Sequence, residues 1–153
     1  MVLDSLDLKI IQALSQQGRA TWSELAERFE VSSPAIADRV RRLEKRGILQ
    51  GYTIRLDAPQ LGYDLTAFIS VSLEKTEHRP AFLAYVESTA EIQECHHVTG
   101  SGDYLLKVRC RNTAQLEQII SHGLKGQASV GQTHTAIVLS TAKETLNLPL
   151  TPD

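Results

Sequence analysis

The sequence predicts an α+β chain of two domains, a winged helix-turn-helix followed by a ferredoxin-like βαββαβ domain. Three observations predict it. Apolar residues recur at helical spacing through the first 47 residues, with three helix-start signals among them. The period then switches to two over 65–73 and again over 104–110, which is the pattern of half-buried strands. Between these regimes, Asp57-Ala58-Pro59-Gln60-Leu61-Gly62 carries the Pro and Gly of a hinge. The expected division is 1–56 for the first domain, 57–63 for the hinge, 64–141 for the second domain and 142–153 for a C-terminal tail.

The first helix rests on Leu3, Leu6, Ile10 and Leu14, with Asp4 and Asp7 where the positive end of a helix dipole favours acids. Gly18 is expected to close it as a left-handed cap. Thr21-Trp22-Ser23-Glu24 fits a capping box, so a second helix runs from about Trp22 to Phe29 and buries Leu25, Ala26 and Phe29. Ser33 followed by Pro34 starts a third, since Pro at the first helical position loses no needed hydrogen bond. That helix turns Ile36, Val40 and Leu43 inward and stops at Gly47. Residues Glu30 to Ser33 alone separate helices two and three, and so short a connection is the sequence form of a helix-turn-helix. Many such turns contain Gly, where this chain has Glu30-Val31. Residues 48–56 are expected to form a short strand pair, or wing.

Charge adds a second, independent sign. The whole chain is formally −2, yet residues 1–62 hold nine basic and eight acidic side chains, and 39–46 hold five basic residues against Glu44 alone. With Ile36, Val40 and Leu43 inward, Asp38, Arg41, Arg42 and Lys45 lie on the outer face of helix three and Arg39 at its flank. A basic outer face on the helix that enters the major groove is an electrostatic footprint for double-stranded DNA. Ser32, Ser33, Pro34 and Ala35 start this helix and are small enough for close approach to phosphate and bases. Phosphate contacts are expected from Arg41, Arg42 and Lys45, and base-edge contacts from the neighbourhood of Ser33, Ala35, Asp38 and Arg39.

In the second domain, Leu65, Ala67, Ile69, Val71 and Leu73 alternate with polar residues, and Phe82, Leu83 and Val86 give a helix over 79–89. A weaker strand spans 92–98, Tyr104, Leu106, Val108 and Cys110 alternate in the next, and Leu116, Ile119, Ile120 and Leu124 mark a second helix. Residues 130–140 are the last strand. Two crossover helices cover one face of such a sheet. The other face needs a partner, and a second copy of the chain is the economical choice.

Composition narrows the function classes. With 42% hydrophobic and 22% charged residues, the chain reads as globular, with aliphatic cores because only 5% is aromatic. No apolar run reaches the roughly 18 residues that span a bilayer, and there is no signal-peptide pattern, so no membrane partner and a cytoplasmic address are expected. Cys95 and Cys110 are too few for a disulfide framework; they are either small buried side chains or a redox or metal pair. His96 and His97 are adjacent on a strand, where successive side chains take opposite faces, and His78, His122 and His134 are far away in sequence, so no metal site is expected. Phosphate loops, nucleophile elbows and zinc-spaced cysteines are missing, so no catalytic residue and no cofactor is expected. The Gly100-Ser101-Gly102 turn exposes backbone amides and is either a carboxylate cradle, with Asp103 facing an amino group, or simply a tight hairpin.

Leu3-Asp4-x-x-Asp7-x-x-Ile10, Gly18-Arg19, Glu24-Leu25-Ala26, Val31-Ser32, Arg39-Val40-x-x-Leu43-Glu44-x-x-Gly47-Ile48 and Gly51-Tyr52 stand at spacings that recur together in one family. So do Leu61-Gly62, Val98-Thr99-Gly100, Asp103-Tyr104-Leu105-Leu106 and Thr133-x-Thr135-x-x-Val138-Leu139. Over nearly its whole length the chain resembles the Lrp/AsnC regulators, the leucine-responsive and asparagine-operon type. The resemblance implies a sequence-specific transcriptional regulator whose dimers join into octamers and whose amino-acid effector sits between C-terminal domains. It places Gly100, Ser101, Gly102, Asp103 and Tyr104 in the effector loop, with Thr133 and Thr135 lining the same pocket. The chain departs from the family's usual acid and aromatic at Ser101 and Gly102, and from its usual Gly at Ser129. Two other readings share the scaffold: an architectural DNA-binding protein that needs no ligand, and a tetrapyrrole decarboxylase-like enzyme. Residues 51–57, which hold no histidine, speak against the enzyme.

Overall fold

A computed structural model of the chain describes residues 3–127 and 130–150; Ser129 lies outside the described residues. The chain divides into two compact units, one running to Leu56 and taking in the C-terminal segment from Lys143, the other Asp57–Ala142.

Among the described residues the first unit holds three helices, α1 (Ser5–Gln16), α2 (Trp22–Phe29) and α3 (Ser33–Lys45). Each begins on a side-chain cap that satisfies otherwise unpaired backbone amides. Asp4 caps α1 and Thr21 caps α2, both in reciprocal capping boxes, with Asp7 and Glu24 reaching back. Ser32 caps α3, which puts the start signal one residue earlier than the expected Ser33 cap. Gly18 does not act as a left-handed cap: α1 ends on Gln17, and Gly18 is not among the residues with positive φ. Ile10, Leu14, Leu25, Ile36, Val40 and Leu43 close its core, with Phe29 and Leu49 packed against it.

The expected wing does not form among the described residues. Residues 50–56 carry no strand or helix and find no sheet partner there, and Ile54 and Leu56 stand exposed. Amphipathic alternation alone cannot make a ladder when no second strand lies beside it. The segment is held at its start instead, by the Ile48 and Leu49 amides donating to the Leu43 carbonyl and by the Tyr52 hydroxyl donating to Glu44 at 3.0 Å. Residues Pro59–Leu61 form a 3₁₀ turn, with the Asp57 carboxylate accepting from the Gln60 amide at 3.1 Å.

The second unit runs β1 (Leu65–Leu73), α4 (Arg79–Ser88), β2 (Ile92–His97), β3 (Tyr104–Cys110), α5 (Thr113–Gln118) and β4 (Val130–Ile137). The sheet is antiparallel in the order β2-β3-β1-β4, the ferredoxin-like arrangement expected. Ala67, Ile69 and Val71 of β1 face the helices beside Tyr104, Leu106, Val108 and Cys110 of β3, and Phe82, Leu116 and Leu124 complete the core. A π-helical segment, Ile119–Gln127, follows α5. Within it, a Cβ on Gly123 would meet the Tyr85 hydroxyl, so the glycine lets this ring tip lie against the backbone.

Candidate functional site

The turn between α2 and α3 sets the recognition geometry. Glu30 ends α2 in the left-handed conformation, φ 56° and ψ 43°, with its amide donating to Ala26 and Glu27. A non-glycine residue thus takes the shape that glycine often supplies in this turn. Val31 and Ser32 then deliver the chain into α3. The Ser32 hydroxyl accepts from the Ala35 amide at 3.3 Å, and the Ser33 hydroxyl lies 3.5 Å from that of Ser23 on α2. Pro34 is exposed and Ala35 half-buried.

Along the outer face of α3, Asp38, Arg41, Arg42 and Lys45 are all exposed. Arg41 pairs with Asp38 one turn back at 2.7 Å, and exposed pairs of this kind hold little energy, so a phosphate can displace the carboxylate. Arg42 and Lys45 occupy the last turn, where the negative end of the helix dipole favours cations.

Arg39 requires a correction. Its guanidinium is not offered outward for base reading: one nitrogen, Nη1, sits 2.6 Å from Asp4 and 2.7 Å from Asp7. Asp7 is buried at 8% exposure, so this cation neutralises a carboxylate that has left water. Arg39 therefore ties the start of α1 to α3 and fixes the angle at which α3 is presented. The guanidinium, followed by the Asp7 amide, holds the Asp4 carboxyl below its ordinary range, and the Arg39 pKa is raised in return.

In the second unit, Gly100 adopts φ +128° at the head of the β2–β3 hairpin. Gly102 answers a different need. A Cβ there would meet the Ser70 hydroxyl and lie 3.2 Å from the Val71 carbonyl, so the loop lies directly on β1. The Asp103 amide donates to Val71 at 2.8 Å, and its carboxylate accepts from the Leu73 amide at 2.8 Å. Asp103 is thus engaged in holding the hairpin on β1, in place of the expected amino group. Tyr104 is a second correction. It points into the core at 3% exposure, its ring 4.7 Å from Phe82 and 5.0 Å from His97. Strand alternation puts Tyr104 on the helix-covered face with Leu106, which removes it from solvent.

A cavity of about 440 Å³ opens beside β4, lined by Ser70, Ser72, Ser101, Lys125, Gly131, Gln132, Thr133 and His134. Of the expected effector residues it brings Ser101 and Thr133 together. Thr135 shares the face of Thr133, paired opposite Ile69, but is not among the described lining. Lys125, Ser70 and His134 were not singled out by sequence reasoning. Lys125 follows a helix that periodicity does not extend to the pocket, and Ser70 and His134 become neighbours only through the β1–β4 register. A separate groove of about 310 Å³, lined by Lys9, Gln12, Ala13, Arg28 and Phe29, lies between α1 and α2.

The two histidines on β2 take opposite faces: His97 meets Tyr104, and His96 lies 3.2 Å from Glu94. Cys110 is in the core and Cys95 is half-buried; burial pushes both thiols up, away from the reactive thiolate.

Comparison with known proteins decides what these two units are. Residues 3–44 match the AsnC-type helix-turn-helix domain, and residues 66–148 match the Lrp/AsnC ligand binding domain. The chain belongs to the Lrp/AsnC family. It is 35% identical to the leucine-responsive regulatory protein of Rhizobium meliloti over 93% of this chain and 92% of that one. It is 34% identical to the regulatory protein AsnC of Escherichia coli, covering 90% of this chain and 91% of that one. A transcriptional regulator of Neisseria meningitidis, solved in complex with L-Met, superposes with a TM-score of 0.92 at 32% identity, covering 97% of both chains. These Lrp/AsnC relatives are regulatory proteins by name, the one from Neisseria meningitidis a transcriptional regulator, and no helix among the described residues is long and apolar enough to cross a membrane.

Proposed function

We propose that this protein is a transcriptional regulator, not an enzyme, that binds double-stranded DNA through the outer face of α3 and senses an amino acid through its second unit. The observation that carries the reading is the exposure of Arg41, Arg42 and Lys45 on the second helix of an AsnC-type helix-turn-helix. Arg41, Arg42 and Lys45 grip phosphates, and Ser33, Ala35 and Asp38 approach base edges while Arg39 holds the helix in place. Ser32 and Pro34 set the start of α3 against the backbone.

The protein acts as a homodimer or larger assembly, up to an octamer, in the cytoplasm. The bare face of the sheet supports this, for Phe68 is 38% exposed there and no helix among the described residues covers it. Dimerisation places two α3 helices about one helical turn of DNA apart. The effector lies in the cavity beside β4, where Ser101 of the β2–β3 loop and Thr133 converge, with a neighbouring copy closing it. The direct test is a gel-shift of the DNA upstream of its own gene, with and without amino acids. Retarded bands whose affinity changes with one amino acid are expected; no retardation at low salt would remove the DNA function.

A further inference from the structure

Resting on the reading that the outer face of α3 meets DNA, we propose that Asp38 selects cytosine in the major groove. Its place on the helix carries the argument. At about 100° per residue, Asp38 stands about 160° from Ile36 and from Val40 and about 140° from Leu43, the buried residues of α3. Within the first two turns it is therefore the side chain aimed most directly away from the core. Arg42 and Lys45 share its side of the helix but occupy the last turn. The N-terminal part of such a helix is the part that reaches base edges.

An acid at this place is costly on DNA unless a donor meets it. In the free protein its partner is Arg41 at 2.7 Å, an exposed pair that a phosphate can break. Once Arg41 turns to a phosphate, the Asp38 carboxylate, which can only accept, is left facing the base edges. Guanine offers the acceptors N7 and O6, and thymine offers O4 and a methyl group. Adenine sets its N7 acceptor beside the N6 donor, so a carboxylate there is attracted and repelled at once. Cytosine presents its N4 donor with no acceptor of its own on that edge. Any other base leaves an unpaired anion among phosphates, so Asp38 discriminates by penalty as well as by contact.

The test is selection of bound duplexes from a randomised pool by the full-length protein. Anisotropy with single base-pair replacements in the selected duplex then gives the preference at each position. Cytosine is expected at one position of each half-site, and any other base there should weaken binding about 5- to 150-fold, the usual range for a mismatch. Asp38→Asn should change the preferred base from cytosine to adenine, since a carboxamide pairs with adenine N6 and N7 together. Asp38→Ala should bring the four bases within about threefold of one another and tighten binding to unrelated duplexes, because an anion has left the interface. The Asp38 side chain is 70% exposed, so neither variant disturbs the core. Selected duplexes that lack this cytosine, or a cytosine preference that survives both substitutions, overturn the proposal and leave DNA binding intact. Retention of no duplex at low salt overturns the DNA reading and the proposal together.

Discussion

Arg39 shows how one side chain can be misread from charge alone. On the helical wheel it belongs to the flank of a basic face; in the fold it neutralises Asp4 and Asp7 across two helices. Sequence spacing placed it correctly but could not show which neighbour would claim it, because the partners lie 35 and 32 residues away. Arg39→Ala leaves the buried Asp7 carboxylate without its cation and should destabilise the first unit by about 1–3 kcal/mol, the usual range for losing a charged hydrogen bond. Trp22, the single tryptophan, sits on α2 of that unit, so urea unfolding followed by its fluorescence reads the effect. The same pair has a pH signature. The Asp4 carboxyl is held below its unfolded value, so its contribution is present above about pH 4 and is lost as pH falls through the lower folded value. The acid limb of wild-type stability should therefore be steeper than that of Arg39→Ala, and identical limbs would show that the bridge carries no linkage.

At the scale of elements, the sequence was most legible where a cap and a period agree. The bounds of α2 follow from Thr21 and Glu24, and β1 and β3 follow from strict alternation. It was least legible where a conformation depends on neighbours. Residues 48–56 carry the composition of strands but find no ladder partner within the described chain, and the π-helical turn after Gln118 reads as ordinary helix. Glu30 is the sharpest case, since a glutamate gives no hint of a left-handed turn. A non-glycine residue there carries roughly 1–2 kcal/mol of strain, offset in part by the greater freedom of glycine when unfolded. Glu30→Gly should accordingly raise the stability of the first unit by up to about 1 kcal/mol; a loss would mean the Glu30 side chain contributes more than its backbone strain removes. Gly102→Ala should act in the opposite direction. The Ser70 hydroxyl can rotate away from the new Cβ, but the Val71 carbonyl 3.2 Å away is fixed in the sheet. The loop must lift, at about 1–3 kcal/mol of overpacking, and because Ser70 and Ser101 both line the cavity, ligand affinity should fall with stability. A variant that melts and binds like the parent would place the loop farther from β1.

For the whole molecule, two domains with separate cores divide the work between DNA and ligand, and the order of their elements was readable from periodicity and the hinge residues. The candidate DNA face was largely readable too, because an amphipathic helix fixes which side chains point outward. The cavity was not: of the residues expected there, Ser101 and Thr133 line it, while Tyr104 serves the core. A pocket at a sheet edge is assembled by strand register and loop contact, neither of which leaves a local signal. The formal charge of −2 also hid this candidate face, since its cations occupy one side of one helix.

The central claim is that those cations grip DNA, and fluorescence anisotropy of labelled duplex across a salt series tests it most directly. Wild-type affinity should fall steeply with salt as phosphate-bound counterions are released. Arg42→Ala should weaken binding to every sequence alike and reduce the slope of log affinity against log salt by about 1 per helix engaged. Unchanged affinity and an unchanged slope would take the outer face of α3 away from the DNA.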